Sequence, residues 1–381
     1  MSDNQGTSMK QGMQCCVLAG LLVVGWWLGS GIAADRSVIY DPDTRVMLNP
    51  SGAMVTVQHR TLKFFQSDGK PLKSRELRGN EYAILPEGGS VVGITRFFDN
   101  SPSTLTAAAF ELVDLTGKRL YGIDKPRFSS VIVSATGSAI VGIDGAEGLP
   151  QSVLRFYDAR GNEAHAMTVE FFQGGRFSSD GSVFVFTTAK EGLLACSTAG
   201  QVLARYGMGT SYDLSAGGEV FAVAQDSVLR VYANGKRQTT IHTMGQTRAV
   251  TVSGNGKHVG WAGTADAVIY AAGADSALVR VQLSAPGENV RSLAISNDGR
   301  CFAIGIDIDA GKEAAPEARH FRGRAVVYDF AGQKIAEKEL SYQAWNAHFP
   351  AVSFTRDGHT VAVITREEIS LVELPSPVPS E

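Results

Sequence analysis

The sequence predicts an all-β fold built from about eight copies of one four-stranded unit. Three observations carry that expectation. A glycine turn recurs along the chain, an apolar strand follows each turn, and helical periodicity is absent. The turn has the form apolar-x-x-x-Gly and occurs at residues 48–52, 85–89, 133–137, 177–181, 214–218, 252–256, 295–299 and 354–358. Its glycines lie 37, 48, 44, 37, 38, 43 and 59 residues apart, which brackets the roughly 40–45 residues of a four-stranded blade. Together these features predict a β-propeller of about eight four-stranded blades, with seven as the alternative.

Each element of the unit has a local reason. Glycine supplies the positive φ that a tight hairpin needs at little cost. The strands that follow, such as residues 54–57, 183–186, 220–223 and 360–364, are apolar on both faces in several copies, as suits a strand packed between neighbouring sheets. A third strand ends on an aromatic in most copies, at Phe65, Tyr157, Tyr232, Tyr270 and Tyr328. A second glycine turn then leads into the fourth strand, at Gly69, Gly117, Gly161, Gly200, Gly235, Gly273 and Gly332. The eighth copy stops after its third strand, at residues 369–374, while a spare strand precedes the first copy at residues 37–40. That spare strand is expected to pair beside 369–374 and remove an exposed edge.

The repeat resembles WD40-like and quinoprotein-type β-propellers over essentially all of residues 37–374. Tyr157-Asp158 and Tyr328-Asp329 occupy the place of the Trp-Asp pair of WD40 repeats, whereas the Gly-His pair of that family is missing. The resemblance implies a scaffold used for binding, and scaffold alone does not name a ligand.

Residues 15–34 carry no charge and follow a short polar stretch whose one basic side chain is Lys10. Gly31 and Ala33 offer a small-x-small cleavage site, the layout of a secretory signal. An uncleaved membrane anchor is the rival, since about 20 apolar residues suffice to span a bilayer and Trp26 and Trp27 suit its interface. The expected organisation is 1–34 as signal peptide or anchor, 35–375 as propeller and 376–381 as a Pro-rich tail. Either reading places the propeller outside the cytoplasm, periplasmic, secreted or tethered through residues 15–34. Cys15 and Cys16 lack a lipobox before them, and Cys196 and Cys301 read as buried free thiols.

No motif for catalysis, metal or cofactor emerges. The seven histidines show no ligand spacing. Asp307-Ile308-Asp309 starts like a calcium loop, but its twelfth position is Ala318. A net charge of −3 supplies no electrostatic footprint for nucleic acid. No cofactor, metal or nucleic-acid partner is therefore expected.

Loop length points instead to a face. The copies differ mainly between their second and third strands, at residues 97–109, 143–152 and 306–324. Those loops share one side of the ring with the links between blades, and function in rigid scaffolds concentrates on such loops. Candidate binding residues there are Arg319, His320, Arg322 and Arg324, with Trp345, His348 and Phe349 in the adjacent link. The expected function is an exported module that binds an envelope protein or small ligand. The alternatives are an exported propeller enzyme of hydrolase, lyase or quinoprotein type, and a structural subunit of an envelope complex.

Overall fold

The computed structural model describes residues 37–375 except 40–44, 49–52, 59, 67–69, 87–88, 99–106, 146–148, 309–319, 344–349, 355–357 and 366–367. The segment 1–34, the tail 376–381, Tyr40, Gly52 and Gly69 lie outside the described residues. Among the described residues no helix is long and apolar enough to cross a membrane.

The described chain is all-β and forms eight four-stranded antiparallel sheets. Seven are sequential meanders: blade 1 over 45–76, blade 2 over 81–124, blade 3 over 130–169, blade 4 over 172–207, blade 5 over 211–242, blade 6 over 249–282 and blade 7 over 288–343. Blade 8 takes three strands from 351–373 and a fourth from the other end of the chain. That fourth strand, Ser37–Ile39, runs antiparallel to Glu368–Glu373 with Ser37 opposite Ser370. The strands of a blade are lettered A to D in pairing order from the inside outwards.

Apolar burial joins each blade to the next. Seven core clusters lie between consecutive blades, from 1–2 through 7–8. Blade 6 thus meets blade 7 through Ala262 and Ile269 on one side and Phe302 and Ile304 on the other, all fully buried. Burying Ile269, Phe302 or Ile304 contributes about 1.5–3 kcal/mol each relative to exposure. The B strands are therefore apolar on both faces, as in Phe184, Val185 and Phe186 of blade 4. Pairing of C with D slips by one residue near the end of strand C in each of blades 1–7, at Phe64/Phe65 and Val327/Tyr328 for example. Such bulges add right-handed twist, and the recurrent aromatic sits beside the slip in several blades.

The A–B turns hold the ring along one face. In five of them a buried serine, Ser134, Ser178, Ser215, Ser253 or Ser296, begins the turn. Its hydroxyl accepts from the backbone N–H five residues on, at 2.9–3.1 Å. Neighbouring turns then bond to one another. Ser90 N–H donates to the Ala135 carbonyl, Asp180 to Ala216, Ala216 to Gly254 and Asn255 to Asn297. Six of the seven described A–B turn glycines adopt positive φ, among them Gly137 at 71° and Gly299 at 69°. Gly89 is the exception, since its φ is outside the left-handed region. There the constraint is space, because a Cβ would come within 2.6 Å of Pro86 Cγ. The C–D turns are capped differently. Asp114, Asp158 and Asp329 each accept two backbone N–H bonds from their own turn. The Asp of the two predicted Tyr-Asp pairs is therefore a turn cap.

Two outcomes test this account. Ser178→Ala leaves the Val183 N–H without its acceptor, so urea unfolding is expected to show a loss of about 1–3 kcal/mol. The exposed control Ser276→Ala is expected to stay within about 0.5 kcal/mol of the parent. Deleting residues 35–41 removes the strand beside Glu368–Glu373. A lower melting temperature and concentration-dependent association by sedimentation are expected, and an unchanged monomer would mean that this strand does not seal the edge.

Candidate functional site

Strand polarity within a blade separates the two faces of the ring. The A–B and C–D turns share one face, and the B–C connections share the other with the links between blades. The A–B turns are nearly uniform, five residues in blades 3 to 7 (134–138, for instance) and six in blade 2 (85–90). The B–C connections vary widely, from 226–227 in blade 5 to 98–106 in blade 2, 145–151 in blade 3 and 309–319 in blade 7. The C–D turns range only from two residues (234–235) to five (66–70), so the long connections gather on one face.

Blade 7 reaches furthest on that face. Its C and D strands, His320–Asp329 and Lys334–Gln343, each run ten residues. A buried polar network secures their base. Arg291 donates from Nε and Nη2 to Asp307 Oδ2 at 3.0 and 2.7 Å, and the Tyr342 hydroxyl donates to Oδ1 at 3.4 Å. Burial and the neighbouring Asp307 carboxylate push the Tyr342 hydroxyl well above its ordinary range, so it stays a donor. The Asp307 carboxylate, 2% exposed, is committed to this network.

The candidate binding residues fall into three situations. Arg324 is held between two carboxylates, Glu288 at 2.6 Å and Glu337 at 3.1 Å. Arg322 is exposed on strand C, opposite Ile308 and Ser341. His320 begins the same strand, opposite Gln343. Arg319, Trp345, His348 and Phe349 lie outside the described residues.

The residues that line the central channel were not legible in the sequence. The channel's cavity of about 590 Å³ is lined by the A strands of blades 2 to 8. One position of the repeat contributes a residue from each of these blades, two residues before the A–B turn begins in blades 3 to 8 (Ile132, Arg176, Asp213, Thr251, Ala294 and Ser353) and immediately before it in blade 2 (Ile84). Aligning the copies on the turn serine would have exposed this ring. Its two charges neutralise each other, with Arg176 Nη2 2.5 Å from Asp213 Oδ1 and the guanidinium 5.0 Å from the Tyr212 ring centroid. Asp213 Oδ2 also accepts from Val252 N–H at 2.7 Å, so one carboxylate ties blades 4, 5 and 6 together. Ser292 does the same for blades 7 and 8, donating to the Pro350 carbonyl and accepting from Val352 N–H. Arg176, Asp213 and Ser292 thus hold neighbouring blades to one another across the channel wall.

Poised chemistry is scarce among the described residues. No three His, Cys, Asp or Glu side chains converge on a possible metal position among them. Burial pushes the Cys196 and Cys301 thiols up to about 11, which keeps both protonated and unreactive at neutral pH.

No protein-family profile matches the chain, and no curated protein matches it in sequence. Solved structures do. The C-terminal WD40 domain of Sif2 superposes with a TM-score of 0.56 at 13% identity, covering 92% of this chain and 100% of that one. Hydrazine synthase from Kuenenia stuttgartiensis gives 0.44 at 14% identity, over 61% of this chain and 72% of that one. Hsv2 from Kluyvelomyces marxianus gives 0.48 at 11%, over 72% and 85%. The last two superpose too loosely to carry an argument, and at such identity the first speaks for architecture alone. With its eight antiparallel four-stranded sheets, the chain has a WD40-like β-propeller fold.

Proposed function

We propose that the chain is an exported β-propeller that acts as a protein- or ligand-binding module in the cell envelope, meeting its partner on the face of the long B–C connections. One observation carries the choice of face. The A–B turns spend their backbone groups on their own hairpins and on each other, while the opposite face bears the longest connections and the widest spread of lengths. A surface engaged in ring closure tolerates little change, and a surface of variable connections is where rigid scaffolds place recognition. Arg322, exposed on the projecting strand of blade 7, is the described side chain best placed to contact a partner. Arg324 supports that strand through its two carboxylates. The export part of the reading rests on the uncharged run at residues 15–34 and the small residues Gly31 and Ala33 at its end.

Cross-linking of the full chain in its native cells, read by mass spectrometry, tests the face. Recovery of one stoichiometric partner is expected from the parent and from Lys257→Ala, a change on the A–B turn face. Arg322→Ala is expected to weaken recovery several-fold, in the range of a lost interface arginine. Equal recovery by both variants would move the surface elsewhere. Fractionation tests export: residues 35–381 are expected outside the cytoplasm, released or tethered, and a soluble cytosolic full-length chain would exclude it.

A further inference from the structure

A second feature of the loop face lies away from blade 7, in the crevice between blades 1 and 2. Four residues stand in one row across blade 2: Glu81 opposite Arg96, Arg96 opposite Ala109, and Ala109 opposite Asp124. Directly opposed residues project from the same face of a sheet. That face looks towards blade 1, because Arg75 of blade 1 reaches across to both Glu81 and Glu111. The small side chains of Ala108 and Ala109 leave the floor open. Two adjoining cavities of about 610 and 220 Å³ result, and they share Arg78, Arg96 and Asp124.

The charge in this crevice does not balance. Arg75 is matched by Glu81 and Glu111. Arg78, Arg96, Arg119 and Lys125 have no carboxylate partner among the described residues, so five cations lining the two cavities face three acids, Glu81, Glu111 and Asp124. The mouth is formed by Arg78, Arg96 and Lys125, all exposed. Lys125 is held at a φ of 50°, a conformation that non-glycine residues seldom adopt. Arg60 adds a further guanidinium close by, donating to the Arg78 carbonyl. Beside the cations lies Phe98, 62% exposed. Like charges gathered in an open pocket repel one another, and a bound anion relieves that repulsion. Guanidinium groups match the oxygens of a phosphoryl group in pairs. A phosphate monoester carries about −1.5 to −2 charges at neutral pH, which suits this surplus better than a single carboxylate.

We propose that the crevice between blades 1 and 2 binds a phosphate monoester, its phosphoryl group held by Arg78, Arg96 and Lys125 and its body resting against Phe98. The same headgroup chemistry is available from a soluble phosphate ester and from a monoester lipid. The site is separate from the blade 7 surface, so either reading can fail without the other.

Isothermal titration of the full chain with glycerol 3-phosphate, and co-sedimentation with phosphatidylcholine vesicles with and without phosphatidic acid, test the site. Saturable binding that weakens with added salt is expected. The double variant Arg78→Gln with Arg96→Gln is expected to lose about tenfold or more, as befits two charge-assisted contacts. Asp124→Asn is expected to bind more tightly, since it removes a like charge from the anion's surroundings. Lys236→Gln with Arg237→Gln, a pair of exposed cations on blade 5, is the charge-matched control and is expected to bind as the parent does. If the double variant fails to fold by circular dichroism, Lys125→Gln takes its place. Binding in solution alone assigns a soluble ester, binding to phosphatidic acid vesicles alone assigns a lipid headgroup, and either supports the site. No saturable binding to either probe, or equal losses in the crevice variant and the control, would overturn it.

Discussion

The ring depends on the buried hydroxyl at the head of the A–B turn. A serine such as Ser253, fully enclosed, must satisfy its oxygen within the protein, and it does so by accepting the His258 N–H. Leaving such a group unpaired costs about 1–3 kcal/mol, so the turn is locked into one conformation. A locked turn presents its remaining backbone groups at a fixed place, where the next turn meets them. Ala216 shows both sides of this arrangement, accepting from Asp180 and donating to Gly254. A local side-chain bond thereby sets the position of one blade relative to the next, and the apolar layers between blades fill in around it.

Much of this was legible in the residues. Repeat length, strand order and the turn glycines followed from spacing alone, because a hairpin that needs positive φ advertises it with glycine. Gly89 illustrates the limit, since the same letter there answers a steric need that only the fold reveals. The elaborated face was also legible, from loop length. The channel ring was not, although its register was present in the sequence: Arg176 and Asp213 become a pair only when two distant copies stand side by side. The crevice was hidden for a similar reason. Arg78 lies in the link between the two blades, Arg96 near the end of a strand of the second, and Lys125 just after that blade's last strand, so nothing in their spacing brings them together.

Charge is distributed with a consistent logic. Inside, each ionised group faces its counterpart, as Arg291 faces Asp307 and Arg176 faces Asp213. Desolvated charges are tolerable only on those terms. At the mouth of the crevice, water can solvate Arg78, Arg96 and Lys125, so the fold does not need to match them. An unmatched cation at the surface is thus free to be matched from outside, which a buried one never is.

The two described cysteines add a consequence of a different kind. Cys196 lies in blade 4 and Cys301 in blade 7, each an enclosed thiol with no sulfur partner. Neither is exposed to an oxidant, and neither can be cross-linked without taking the ring apart. The redox potential of the surroundings therefore has no grip on these blades: a reducing medium has no bond here to break, and an oxidising one has none within reach to make.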